Sequence, residues 1–245
     1  MCTLVLYRRP NDVLAISGNR NESLKRPASG PRLENGVLAP RDEAAHGTWL
    51  GLNRHGLFVC VTNRRGGVID ARRPSRGLLV RDALSAESAV ALHKRLRDLD
   101  GDRYNGFHLV YADLRDAFVT WSDGFRLAQQ ALSPEEVHVV TERSFGAGEG
   151  DREVTVRAAF AARPLDVRAW RTPMTAHAKE PLESACVHAE AAGYGTRSSL
   201  QLIVHEKAAS MLWTDGHPCT NPSQDFSAAA TTLLAGPPRA ATSPA

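Results

Sequence analysis

Two short apolar runs open the chain, CTLVLYR at 2–8 and VLAISG at 13–18, split by Pro10-Asn11-Asp12. β-Branched and aliphatic runs around a turn-forming triplet predict a β-hairpin. Residues 23–46 hold Pro27, Pro31, Pro40 and several charges without periodicity, and read as loop. GTWLGLN (47–53) and LFVCVTN (57–63), joined by Arg54-His55-Gly56, predict a second hairpin. The period then changes. From Ser85 to Leu99, apolar residues fall at Ala89, Leu92, Leu96 and Leu99, which is helical spacing. Ser85 and Ser88 are its candidate N-caps and Glu87 suits its first turn. A shorter helix is predicted over 76–84.

Strand-like runs return at 106–113, 117–123, 126–132 and 137–142, punctuated by Asp-Gly and Ser-Pro turns. Helix is predicted over 153–163 and within 175–192, broken near Pro181, and a last hairpin over 199–206 and 209–215. The Pro/Ala/Ser-rich tail 235–245 reads as disordered. Hairpins at both ends with helices and strands between argue one α+β domain over 1–234.

Composition narrows the function classes. Apolar residues make up 42% and charged residues 23% of the 245, which suffices for a large core. Thirty basic residues against 27 acidic give a net charge of only +3, too little for an electrostatic nucleic-acid binder. No apolar run reaches the ~18 residues of a membrane helix, and MCTLVLYRRP lacks the layout of a signal peptide. These features point to a cytoplasmic protein. Cys2, Cys60, Cys186 and Cys219 are scattered without a CxxC, so neither a zinc ribbon nor a disulfide framework is indicated. Cys186 and His188 would share a strand face, but no second pair stands at metal spacing, and no metal is assigned. Cys60 reads as a small buried hydrophobe and Cys219 as a turn residue.

Cys2 carries the candidate chemistry. Its small side chain suits removal of Met1, which would leave a thiol and an α-amine on one residue. The amine can then serve as the general base for its own nucleophile.

Five further segments share an order with a known family: GNRNESLKRP (18–27), APRD (39–42), GTWLGLN with GLFVCVTNRR (47–65), YNGF (104–107) and YGTRSS (194–199). With the Met-Cys start, they resemble the NRDE family, also called the transport and Golgi organization protein 2 family. The tetrad of its name stands here as Asn19, Arg20, Asn21 and Glu22. The resemblance implies an N-terminal-nucleophile αββα sandwich with antiparallel sheets, similar to choloylglycine hydrolases and penicillin V acylases. It implies Cys2 as nucleophile, Arg20 beside it as a fixed cation, Asn63 as an oxyanion donor and Arg197 as a second, distant arginine. Asn19, Glu22, Trp49 and Asn105 are the candidates for binding roles. Two positions depart from the pattern. Asn21 replaces the tetrad's Asp, and Thr141-Glu142 stands where related acylases offer an Asn donor.

Plainer roles stand beside these. Arg20 and Glu22, two apart on a strand, share a face and can form a structural salt bridge. Asn19, Asn63 and Asn105 suit turns or strand ends, and Trp49 suits either the core or a pocket wall. Two functions follow. One is a cysteine amidohydrolase acting on a carbon–nitrogen amide of a small or lipid-like substrate, without a cofactor. The other is a haem or lipid carrier on the same fold, which needs an apolar slot and an axial His, Cys or Tyr.

Overall fold

The structure, a computed structural model, describes residues 2–148, 150–161 and 163–236. Its elements in chain order are β1 (Cys2–Arg9), β2 (Val13–Ser23), β3 (Ala28–Glu34), β4 (Val37–Asp42), β5 (Leu50–Asn53), β6 (Phe58–Asn63), α1 (Arg76–Ala83), α2 (Ala89–Arg95), β7 (Phe107–Ala112), β8 (Ala117–Ser122), β9 (Leu127–Ala131) and β10 (His138–Val140). They continue with α3 (Asp151–Phe160), α4 (Val167–Arg171), β11 (His188–Ala189), β12 (Tyr194–Val204), β13 (Ala209–Asp215), β14 (Gln224–Asp225) and α5 (Ser227–Ala235). No helix among the described residues is long and apolar enough to cross a membrane.

The strands form two antiparallel sheets. One runs β10-β1-β2-β12-β13-β14, with β11 on the side of β12; the other runs β3 to β9 in sequence order. The alternation along β1 and β2 explains the layering. Leu4, Leu6, Leu14 and Ile16 face the second sheet and join Phe58, Leu109 and Val110 in the larger core. Val5, Val13 and Ala15 face the other way and pack with Val156, Phe160, Trp170 and Met174 of the α3–α4 region. A strand buried on both faces needs a helical layer outside it. On the second sheet that layer is α1 and α2, whose Leu79, Val80 and Leu92 are buried. The result is the four-layer αββα arrangement.

Several expectations need correction. Residues 23–46 are not loop: they hold the β3–β4 hairpin. Its turn is Asn35-Gly36, both at positive φ (52° and 74°), the pair that best fits a two-residue hairpin turn. The helix expected from Ser85 begins at Ala89. Ser88 caps it by accepting from the Ala91 N–H (3.1 Å), and Asp113 accepts from the Ala89 N–H (2.8 Å). Glu87 therefore precedes the cap instead of joining the first turn. Within 175–192 there is no α-helix, only 3₁₀ turns at Pro181–Glu183 and Glu190–Ala192 and the short β11. The α-helix of that region is the earlier α4, capped by Asp166. α5 went unforeseen. Of the tail 235–245, residues 237–245 lie outside the described residues.

Candidate active site

The register of the first hairpin places Cys2 opposite Arg20. Antiparallel pairing puts opposite residues on one face, so both open into the same cavity. It has a volume of about 290 Å³ and is walled by Cys2, Arg20, Glu22, Asp42, Trp49 and Asn63 on the strand side. The far wall is the segment from Asp70 to Gly77, which carries Arg73 and Arg76.

Arg20 is buried and heavily engaged. Its guanidinium lies over the Trp49 ring, 4.2 Å from the centroid. Its Nη2 is 3.6 Å from Glu22 Oε2 and 3.7 Å from Asp42 Oδ2. Burial pulls Arg20 below its ordinary value, and interaction with Cys2, Glu22 and Asp42 opposes that pull. Arg76 behaves alike: burial lowers it, and Cys2 is the largest opposing influence. An arginine pulled down from so high a starting point stays charged, so two fixed cations act on Cys2. Two buried donors, Arg20 Nη1 and Trp49 Nε1, have no hydrogen-bond partner among the described residues. Buried donors of this kind are costly unless a ligand or water takes them up.

Asp42 is the carboxylate that sequence reasoning missed. It accepts from Arg26 Nε at 2.8 Å, and its other oxygen accepts from the N–H groups of Ala44 and Ala45. It thus supplies Arg20 with a partner from β4, although position 21 holds no acid. The signal was present in APRD, but reading 23–46 as loop hid where Asp42 lies. Arg26 lies within the GNRNESLKRP match without a role assigned to it, and Arg73 and Arg76 stand in none of the matched segments.

The far wall is held by close backbone approach. A Cβ on Gly47 would stand 2.5 Å from the carbonyl carbon of Gly77, and Thr48 N–H donates to Gly77 O (3.2 Å). These contacts seat the start of α1 against Trp49. Ser75 caps that helix by accepting from the Gly77 N–H (3.2 Å). Its positive end and Arg76 therefore face the cavity.

The other candidates divide. Asn63 ends β6 on the cavity wall, with its side chain exposed. Asn105 reaches the wall but works as a brace: it accepts from the Asp70 N–H (2.8 Å) and donates to Asp70 O (2.9 Å). Asn19 is not part of the cavity. It turns to the helical layer and donates to the carbonyls of Met174 (2.9 Å) and Ala185 (2.7 Å). Arg197 also does not line the cavity; it sits at the bulge of β12 and donates to Arg26 O at 3.3 Å. Asn21 Oδ1 accepts from Thr196 Oγ1 (2.7 Å). Glu142 is buried in an ion pair with Arg152 of α3, and so offers no donor to an oxyanion.

The family model for Transport and Golgi organisation 2 matches residues 1–162. The chain belongs to this family. A human relative, Transport and Golgi organization protein 2 homolog, is 32% identical over 111 residues, which cover 45% of the chain and 36% of that relative. The Bos taurus homolog is 31% identical over 126 residues, covering 46% of each. The chain thus matches less than half the length of these relatives. Solved structures extend the likeness in fold. The Caenorhabditis elegans N-acylethanolamine-hydrolyzing acid amidase ortholog superposes with a TM-score of 0.59 at 12% identity, covering 82% of the chain and 92% of that protein. A conjugated bile acid hydrolase variant from Clostridium perfringens gives 0.53 at 9% identity, with 95% and 94% covered. Penicillin V acylase from Agrobacterium tumefaciens gives 0.50 at 12%, with 88% and 83% covered. The family member described here therefore has an N-terminal-nucleophile hydrolase-like fold.

Proposed function

We propose that this family member is a cysteine amidohydrolase that cleaves a carbon–nitrogen amide of a small or lipid-like substrate. The observation that carries the proposal is the pairing of Cys2 with Arg20 at the head of β1, with both opening into one cavity that Asn63 also borders. That reading is supported by the lining of the cavity, where Cys2 stands with Arg20, Arg26, Arg73 and Arg76.

The α-amine of Cys2, freed by loss of Met1, takes the thiol proton. The sulfur attacks the amide carbon, and negative charge gathers on the carbonyl oxygen. Asn63 Nδ2 and a backbone N–H hold that oxygen. The ammonium returns the proton to the leaving nitrogen, the C–N bond breaks, and a thioester remains. Water then attacks the thioester, giving a carboxylic acid and the free thiol. The unpartnered donors Arg20 Nη1 and Trp49 Nε1 suit a substrate that presents acceptor oxygens. The names of the similar solved structures, an amidase, an acylase and a bile acid hydrolase, agree with this chemistry without fixing the substrate. A haem carrier fits less well: it needs an apolar slot, whereas this wall carries Arg20, Glu22, Arg26, Asp42, Arg73 and Arg76, and Cys2 is the one axial candidate among the described lining residues.

Intact-mass analysis with brief iodoacetamide treatment tests the proposal. Cys60 and Cys186 are buried, so Cys219, in reduced protein stripped with EDTA, is the internal comparison for reaction rate. The expected result is loss of Met1, with Cys2 alkylated at least about tenfold faster than Cys219, and with the fast phase gone in Cys2→Ser. Retained Met1, or a Cys2 no faster than Cys219, overturns the nucleophile role.

A further inference from the structure

A second cluster of reactive side chains lies away from the cavity. Cys186 and His188 flank Val187 at β11, and the turn after β13 brings Cys219 to them. Cys186 Sγ is 3.5 Å from Cys219 Sγ and 3.7 Å from His188 Nε2, and His188 Nε2 is 3.1 Å from Cys219 Sγ. Three soft ligand atoms thus form a small triangle. A tetrahedral zinc ion with Zn–S of about 2.3 Å and Zn–N of about 2.0 Å would require edges of about 3.8 Å between sulfurs and about 3.6 Å between sulfur and nitrogen. The triangle already has nearly those dimensions.

The imidazole is also set for ligation. His188 Nδ1 lies 2.8 Å from Glu190 Oε1. A carboxylate on Nδ1 keeps the proton there and turns the Nε2 lone pair to the sulfurs, as in carboxylate–histidine–zinc arrangements. His217 stacks on His188, with ring centroids 3.9 Å apart, and steadies the ring. The exposed His177 offers a further ligand atom within 4.8 Å of those of His188 and Cys219, in a group that does not include Cys186, so its side chain would turn in to complete the set. A disulfide between Cys186 and Cys219 would need the sulfurs to close from 3.5 Å to about 2.05 Å, and it gives no role to the oriented imidazole or to Glu190.

We propose that Cys186, His188 and Cys219, with His177 as the fourth ligand, bind one zinc ion in a closed structural site. Its ligands come from the segment after α4, from β11 and from the β13–β14 turn. Thr196 N–H donates to Val187 O (2.9 Å) and Gly216 N–H donates to Arg197 O (2.8 Å). The ion therefore ties the helical layer to the sheet on either side of the β12 bulge.

The test uses the full chain, reduced, stripped with EDTA and titrated anaerobically with Co²⁺. The expected result is one equivalent bound per chain, with tetrahedral d–d bands and a thiolate-to-cobalt charge-transfer band, both displaced by Zn²⁺. Cys219→Ser, a conservative change in a half-exposed turn, should abolish the charge-transfer band or shift it to a single-thiolate intensity. Glu190→Gln, on an exposed side chain, should weaken binding about ten- to a hundredfold. Cys2→Ala should leave the titration unchanged. Absence of a charge-transfer band in folded, reduced wild type overturns the proposal. So does a titration that Cys219→Ser and Glu190→Gln both leave intact, or one that Cys2→Ala removes.

Discussion

The two faces of β2 carry opposite kinds of polarity. Arg20 and Glu22 open into a charged cavity beside Cys2, and Arg20 keeps one donor without a partner. Asn19, one residue away, is spent on two buried carbonyls of the helical layer. Ser17 lies on that same face and donates to Trp170 O at 3.1 Å. A motif that runs Asn19-Arg20-Asn21-Glu22 is therefore two devices interleaved by the strand's period of two. One half presents charge to a ligand; in the other, Asn19 fastens the helical layer to the sheet and Asn21 ties β2 to Thr196 of β12. A run of polar residues on a strand need not share a purpose.

The largest effect should come from the fastening face. In Asn19→Ala, the carbonyls of Met174 and Ala185 lose a shared donor in a buried setting, which costs about 2–4 kcal/mol. Urea unfolding should register that loss, while alkylation of Cys2 in the folded protein stays within about twofold of wild type. A stability loss under about 0.5 kcal/mol would mean that the helical layer does not depend on this residue.

The cavity face should respond the other way. In Arg20→Gln the side chain keeps much of its volume, but a fixed cation leaves the neighbourhood of Cys2. One full charge at this range contributes on the order of 1–3 kcal/mol. Alkylation of Cys2 should slow about ten- to a hundredfold. Asp42 retains Arg26 as a partner at 2.8 Å, so the fold should survive. If the rate does not change, Arg76 carries the electrostatics alone, and Arg20 is a structural partner of Trp49 and Asp42.

How much of this was open to sequence reading follows the range of the contacts. The pairing of Cys2 with Arg20 follows from a tight turn at Pro10–Asp12, because hairpin register is local arithmetic. The same alternation that groups Arg20 with Glu22 also sends Asn19 to the far side, a step the motif's name discourages. Asp42 stays hidden as long as 23–46 reads as loop, because only the Asn35-Gly36 turn creates the β4 strand that carries it to Arg20. α5 has Phe226 at its N-cap position without a side-chain cap, and its Ser-Ala-Ala-Ala-Thr start lacks a clear apolar stripe. The approach of Cys219 to Cys186 spans 33 residues and three separate segments, so no spacing rule reports it. Arg197 matched a family motif, but the β12 bulge at that residue, which sequence does not announce, turns it towards Arg26.

The smallest expected effect concerns Glu22 and decides what the cavity's carboxylates do. Glu22 lies 3.6 Å from Arg20, is one-third exposed, and accepts from the Ser23 N–H at 2.9 Å. A partly solvated pair at that distance contributes less than about 1 kcal/mol. Glu22→Gln keeps an acceptor for Ser23 and removes one negative charge beside Arg20. If Glu22 only balances charge, alkylation of Cys2 should rise slightly, by less than about threefold, because the field at the sulfur becomes more positive. If Glu22 instead takes over the work of the acid absent at position 21, by orienting the α-amine or moving its proton, the same substitution should slow Cys2 about tenfold or more. The sign of the change separates the two roles. Because Asp42 already supplies Arg20 with a carboxylate, the expected sign is the small increase.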